Sequence, residues 1–354
     1  MNMATTTRAA LTTLGPGQRA RRAPTPRRAV SVARARADGA EGADPDPPSP
    51  PRRRDALVAL AASFGASALN LADAGTRARA LAAPPPSSPD PDALTRLRVD
   101  AARYYDAADF PRAFDALDTL CALDPGNPDW IEGRAQVAVD AKRFDRAVAD
   151  YTALIDAVDV ARDPGAAARF RAGRALAYEG LYAWPLALVD YDETLRLAAA
   201  GGFLPDPYVL NARGNVRAST DDWAGAREDY AESARLFQSS KGFRSGASTT
   251  QRLDGAVYAA SNAALALAQL GDDAGAIAEA EAVARRAPNS ADMRAALAAL
   301  YYSRGRVAEA EEAWERACGR NVGCGKYRDL DYVRRIRRWP PVMVDKLDAF
   351  LSIR

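Results

Sequence analysis

The residues able to do chemistry are few. Histidine is absent from all 354 positions, and the thiols are Cys121, Cys318 and Cys324. Without imidazole there is no Ser-His-Asp or Cys-His nucleophile and no His-ligated zinc. Two neighbouring cysteines cannot complete a structural zinc site. Cys318 and Cys324 lie in a stretch with Gly319, Gly323 and Gly325 that could fold back to disulfide geometry. Oxidising conditions favour the bridge; reducing conditions leave two free thiols. Cys121 reads as a small buried apolar residue. Gly201-Gly202 and Gly323-Cys324-Gly325 lack the spacing and the following Lys-Ser/Thr of a phosphate loop. The doublets Asp221-Asp222 and Glu311-Glu312 read as helix-start or exposed-face carboxylates, which at a helix start complement the dipole. Near the C-terminus Arg334, Arg335, Arg337 and Arg338 stand among Leu330, Val333, Ile336 and Trp339, which recur at steps of three. They read either as a solvated cap face paired with nearby acids or as a patch for anionic lipid or an acidic partner. The expectation is no catalytic residue, no metal site and no cofactor, which leaves binding.

The elements that would present a binding surface are set by a repeat. Trp184-x2-Ala187-x3-Tyr191 returns as Trp223-x2-Ala226-x3-Tyr230. The frame extends upstream to Phe110-x2-Ala113-x3-Leu117 and Phe144-x2-Ala147-x3-Tyr151. Downstream it continues as Asp273-x2-Ala276-x3-Ala280 and Val307-x2-Ala310-x3-Trp314. Twelve residues before each alanine sits a small residue: Ala101, Ala135, Ala175, Gly214, Ala264 and Ala298. Nine before it sit Tyr104, Ala138, Tyr178, Arg217, Leu267 and Tyr301. The helical spacing puts these on one buried stripe. One unit cannot bury its own apolar face, so the units must stack.

These six copies, over roughly 92–318, resemble the tetratricopeptide repeat. The resemblance implies an all-α, right-handed α-solenoid of about six helix-turn-helix units, followed by a C-terminal capping helix pair over 319–354. Departures are local: Arg217 replaces an apolar residue, Asp273 replaces the aromatic, and Pro185 suits a first helical turn. Longer inter-repeat turns are expected at Val158–Gly165 and Ala198–Pro207, and a polar loop over Ser239–Thr250 within the 239–252 insertion. In the family the groove is lined by first-helix residues. Carried over, the frame gives Arg98, Tyr105, Gln136, Arg169 and Glu179 in the first three copies. It gives Tyr208, Asn211, Asn215, Ser219, Tyr258, Asn262 and Tyr302 in the last three. Asn211, Asn215 and Ser219 fall on one line, and asparagine can bond an extended peptide's backbone without demanding a sequence. The basic trio with which the family clamps an acidic chaperone tail does not appear.

The leader points to a destination. Residues 1–37 hold eight arginines and no acid, as in a chloroplast transit peptide. An acidic, Pro-rich linker follows. Then come Arg52-Arg53-Arg54, an apolar stretch Ala56–Leu71 and Ala78-Arg79-Ala80, similar to a twin-arginine signal with cleavage after Ala80. The apolar stretch is too short and alanine-rich for a comfortable span, so no transmembrane segment is expected in the mature chain. A bipartite leader of this kind resembles those of plant and algal thylakoid-lumen proteins; a stromal protein is the alternative. Residues 81–91 read as a Pro-rich tail. Residues 1–80 carry 13 arginines against six acids, which leaves 35 basic and 40 acidic residues beyond them, a net of −5. A nucleic-acid-binding domain is basic on its own account, and this one is not. The resemblance implies a non-enzymatic scaffold for a protein or extended peptide, assisting assembly or maintenance of a photosynthetic membrane complex. The competing classes are a stromal factor acting on RNA or translation, and a peripheral thylakoid-membrane adaptor working through the arginine-rich cap.

Overall fold

The computed structural model describes residues 91–239, 249–319 and 323–353. The expected transit peptide, linker and second signal and most of the expected tail lie outside the described residues, as does the middle of the 239–252 insertion. The described helices pair into six hairpins: α1 (Pro91–Asp106) with α2 (Phe110–Leu123), α3 (Pro128–Asp140) with α4 (Phe144–Ala157), and α5 (Pro164–Gly180) with α6 (Trp184–Ala200). Then come α7 (Pro207–Ser219) with α8 (Trp223–Gln238), α9 (Thr249–Gln269) with α10 (Asp273–Arg286), and α11 (Ala291–Ser303) with α12 (Val307–Ala317). No strand occurs among the described residues.

The sequence frame maps onto the hairpin residue by residue. Phe110, Phe144, Trp184, Trp223, Asp273 and Val307 are each the first residue of a second helix. The six frame alanines, Ala113 to Ala310, are wholly buried, which is what lets two backbones close on each other. The position nine before the alanine lies in the last turn of the first helix, two residues before its end in all six copies. Its carbonyl accepts from the amide just before the second helix in all six copies, for example Asp109 to Tyr104 at 2.8 Å and Arg306 to Tyr301 at 2.9 Å. This is the six-to-one closure of a helix C-terminus, and it requires one left-handed residue. Gly271 and Gly305 supply it in the last two copies; Ala108, Lys142, Tyr182 and Asp221 adopt the same positive φ in the first four. Among the described residues, Asx-Pro pairs start three first helices. Asn127, Asp163 and Asp206 cap Pro128, Pro164 and Pro207, the side-chain oxygen accepting from a first-turn amide. Gly173 marks a close approach: a Cβ there would fall 2.3 Å from the Tyr151 ring.

Three local expectations change. The turns at 158–163 and 201–206 are long, but part of the added length is helix, since α5 and α6 run to 17 residues each. Helix α9 begins at Thr249, inside the segment read as a loop. Cys121 is half-buried rather than enclosed.

The C-terminal segment departs most from its sequence pattern. A disulfide joins Cys318 to Cys324, and a 3₁₀ turn over Cys324–Arg328 follows. The next segment, Tyr332–Arg337, is helical but wound as a π-turn, and α13 (Pro341–Leu351) closes the chain. An α-helix would have shared one face among Val333, Ile336 and Trp339. The wider π-turn instead sets Arg337 beside Val333 and swings Ile336 out. Arg337 is 9% exposed and Ile336 is 71% exposed. Arg334 and Arg335 do face solvent. Helix α13 packs on α11 and α9, the first helices of the last two hairpins. Phe350 meets Tyr302 and Trp314 edge-on, and the Val342 amide donates to Gln269 Oε1 at 3.0 Å. Among the described residues no helix is long and apolar enough to cross a membrane.

Candidate interaction groove

First helices meet directly at α3 with α5 and at α5 with α7, and the C-terminal segment packs on the first helices α9 and α11. Its anchor is Arg337. The guanidinium donates to the Asp292 carboxylate through Nε at 2.9 Å and Nη2 at 2.7 Å, and to Asn262 Oδ1 through Nη1 at 2.8 Å. It also lies over the Tyr258 ring, 5.0 Å from the centroid. Burial works against its charge, but the Asp292 carboxylate more than restores it, so its pKa is raised. Asp292 accepts a further bond from Trp339 Nε1 at 3.0 Å. One carboxylate in the first turn of α11 therefore holds the whole turn.

Arg338 is seated differently. It is left-handed (φ 58°, ψ 48°) and reaches across to the third and fourth hairpins. Its Nη2 donates to Ser219 Oγ at the end of α7. Its Nη1 lies 3.9 Å from Glu179 Oε2 near the end of α5, and the guanidinium carbon lies over Trp184, 5.3 Å from the ring centroid. Between the two arginines a shallow depression is lined by Asn215, Trp223, Tyr230, Tyr258, Asn262, Leu265 and Pro340.

The residues named from the sequence divide accordingly. Asn211, Asn215, Tyr258 and Asn262 come together. Asn262 Nδ2 faces Asn211 Oδ1 at 3.4 Å, and Asn215 Oδ1 accepts from Tyr230 Oη at 2.9 Å. Asn211 and Asn215 are half-buried and Tyr258 is exposed, whereas Asn262 is buried beneath Arg337. Ser219 and Glu179 belong to the seat of Arg338. Tyr302 is packed against Phe350 of α13. Tyr105 donates to Asp140 Oδ2 at 2.7 Å. Arg169 pairs with Glu132 at 2.6 Å, and Gln136, one turn after Glu132 on α3, is half-buried; both Arg169 and Gln136 lie one hairpin or more from the cluster. Tyr208 packs edge-on against Phe237 of α8 at 4.8 Å, and burial pushes its hydroxyl up to about 12. Arg98 is exposed on α1.

Two features of the site were missed from the sequence. One is the seating of Arg337 and Arg338, which the sequence pattern puts on a solvated cap face or on a patch for anionic lipid or an acidic partner. The second is a ladder of buried ion pairs at a fixed spacing of 16 residues: Arg134 to Asp150, Arg174 to Asp190 and Arg213 to Asp229, each bidentate within 2.9 Å. The remaining amino group of each arginine reaches the preceding second helix, at Asp118, Thr152 and Asp192. The signal was present: in the three middle copies arginine precedes the frame's small residue and aspartate precedes its tyrosine.

Asp206, which caps α7 at one end of the asparagine line, carries a pH dependence. Burial raises its carboxyl, and the Tyr208 and Val209 amides pull it back only in part, leaving it at about 7. The folded state thus keeps a proton that the unfolded chain has released. The stability from that proton is full below roughly pH 4 and is lost as pH rises through 7. Asparagine caps equally well without the buried charge. Asp206→Asn is expected to flatten the fall in melting temperature between pH 5 and 8 and to add on the order of 1 kcal/mol at pH 8. An unchanged pH slope would assign it to other groups.

No family model matches the chain, and no curated protein matches it. Among solved structures it is similar to a chain in the APC/C hetero-tetramer Cut9-Hcn1, at 18% identity over 73% of this chain, with a TM-score of 0.48. This chain spans 42% of the length of that one. It is also similar to a tetratricopeptide repeat protein from Parabacteroides merdae, at 15% identity over 74% of this chain and 93% of that one, TM-score 0.48. A third is YrrB, described as a tetratricopeptide repeat protein with an unusual peptide-binding site, at 16% identity over 58% and 92% of the two chains, TM-score 0.44.

Proposed function

We propose that the chain is a non-enzymatic scaffold that holds an extended segment of a protein partner along its first helices, centred on the third to fifth hairpins. The observation that carries this reading is the line of half-exposed amides, Asn211 and Asn215, beside the exposed Tyr258. Neutral side chains that both donate and accept suit the backbone of an extended chain. The mature protein works in the thylakoid lumen of a chloroplast, assisting assembly or maintenance of a photosynthetic membrane complex. The arginine-rich, acid-free start, the twin-arginine-like segment and the Cys318–Cys324 bridge support that location. A photo-crosslinking residue at Asn211 is expected to give one discrete protein adduct in the organelle. The same residue at Arg196, exposed on the second helix α6, is expected to give none. Equal labelling from both positions would remove the groove assignment. A mature N-terminus near Leu81 is the expected mark of lumenal processing, and a start near residue 38 would return the protein to the stroma.

A further inference from the structure

We propose that Glu179, Trp184 and Ser219 form a receptor for an arginine side chain of the partner, and that Arg338 occupies it until the partner displaces it. The inference rests on the groove reading above and names the chemistry the groove selects. Three contacts of different kind converge on one guanidinium: a carboxylate on α5, an indole face at the start of α6 and a hydroxyl at the end of α7. A cation over an aromatic face, with a hydrogen bond to one amino group and an opposite charge at the rim, is a pattern that a guanidinium fits better than an ammonium.

The occupant is held loosely compared with its neighbour. Arg337 is enclosed and bonded through three nitrogens to Asp292 and Asn262. Arg338 keeps 28% of its side chain in solvent and stands 3.9 Å from its carboxylate. Its backbone is left-handed, a conformation that favours glycine and disfavours arginine. Releasing Arg338 frees the seat and leaves the Arg337 anchor in place. Ser219 shares α7 with Asn211 and Asn215, and its hydroxyl donates to the Asn215 backbone carbonyl at 2.8 Å, so an extended chain on those amides can bring an arginine to the seat. The intramolecular arginine competes at a high effective concentration, which sets a threshold: a partner must bind the amide line as well as the seat to win.

The test uses the full chain and the probe acetyl-Gly-Arg-Gly-amide, with its citrulline twin as the uncharged control. Arg338→Gly empties the seat while suiting the left-handed turn, so the fold is retained; Arg338→Ala serves as the second variant. Calorimetric titration is expected to show the arginine probe binding Arg338→Gly at least tenfold more tightly than it binds the unmodified protein. Adding Glu179→Gln, which preserves an acceptor for Tyr191 Oη, is expected to reverse most of that gain, and the citrulline probe is expected not to bind. Equal affinity for both proteins, or equal binding of the two probes, would overturn the proposal and make Arg338 a cap contact only. Binding to the emptied seat without any crosslink from Asn211 would sustain the receptor and retire the longer groove. Crosslinking from Asn211 with an inert seat would do the reverse.

Discussion

Replacing Asp292 by alanine releases the C-terminal cap, at an expected cost of about 3–5 kcal/mol, the range for breaking a buried ion pair from one side. The reason is the isolation of Arg337. That guanidinium is 9% exposed and cannot shed its charge, and without Asp292 its remaining polar partner is the neutral Asn262 carbonyl. Trp339 loses its acceptor in the same step. The cap joins the hairpins mainly through α13 and this turn, so the loss is local and the array keeps its helices. Amides over 332–351 should exchange faster by roughly two to four orders of magnitude, following the same free energy. Trypsin should cut after Arg334 and Arg335 before it cuts elsewhere, with helical dichroism almost unchanged. Arg337→Met added to Asp292→Ala is expected to recover part of the loss, because no charge is then left buried. Unchanged exchange in Asp292→Ala would mean the guanidinium finds water, and the hub role would fall.

This cap separates what the chain's periodicity could say from what it could not. The hairpins were legible because one frame serves three physical demands at once. Small residues permit close approach, an aromatic opens the second helix, and the position nine before the alanine closes the first. The small residues and the helix closure recur in all six copies and the aromatic in four, so local departures such as Asp273, Val307 or Arg217 did not blur the frame. The cap occurs once. Its apolar residues at steps of three fit an α-helix, and the choice of a π-turn depends on where Asp292 and Asn262 wait on helices 45 and 75 residues earlier. No pattern within 327–339 contains that information. The candidate groove divided for the same reason. Asn211, Asn215, Tyr258 and Asn262 share one face because the repeat frame placed them there. Tyr302 had the same register but is covered by α13. Charge patterning failed in a complementary way: four arginines in five positions read as solvated, yet Arg337 is enclosed and Arg338 lies across the groove, while Arg334 and Arg335 remain outside.

The ladder of arginine and aspartate gives the second large effect, and it should be global. Asp190 is 1% exposed, accepting from Arg174 Nε at 2.7 Å and Nη2 at 2.8 Å. Arg171 Nη1 lies 3.6 Å from the same carboxylate, and the buried Arg171 Nε has no hydrogen-bond partner among the described residues. One carboxylate thus offsets two cations. Asp190→Ala leaves both within a well-packed hairpin, at about 3–5 kcal/mol. Arg174→Ala removes only one cation and leaves Asp190 facing Arg171, so it should cost less, nearer 2 kcal/mol. The ordering matters more than either value. If the ladder acted only by tying α5 to α6 and α4, Arg174→Ala would cost more than Asp190→Ala, since it also removes the bond to Thr152 on α4. An excess for Asp190→Ala locates the energy in the charge left behind. The third hairpin sits in the middle of a nearest-neighbour array, so its weakening should divide the chain instead of fraying an end. Urea unfolding of Asp190→Ala is expected to lose its single transition, with separate midpoints for probes at Trp130 and Trp314. Retention of one shared midpoint would show that coupling between hairpins exceeds the loss at Asp190.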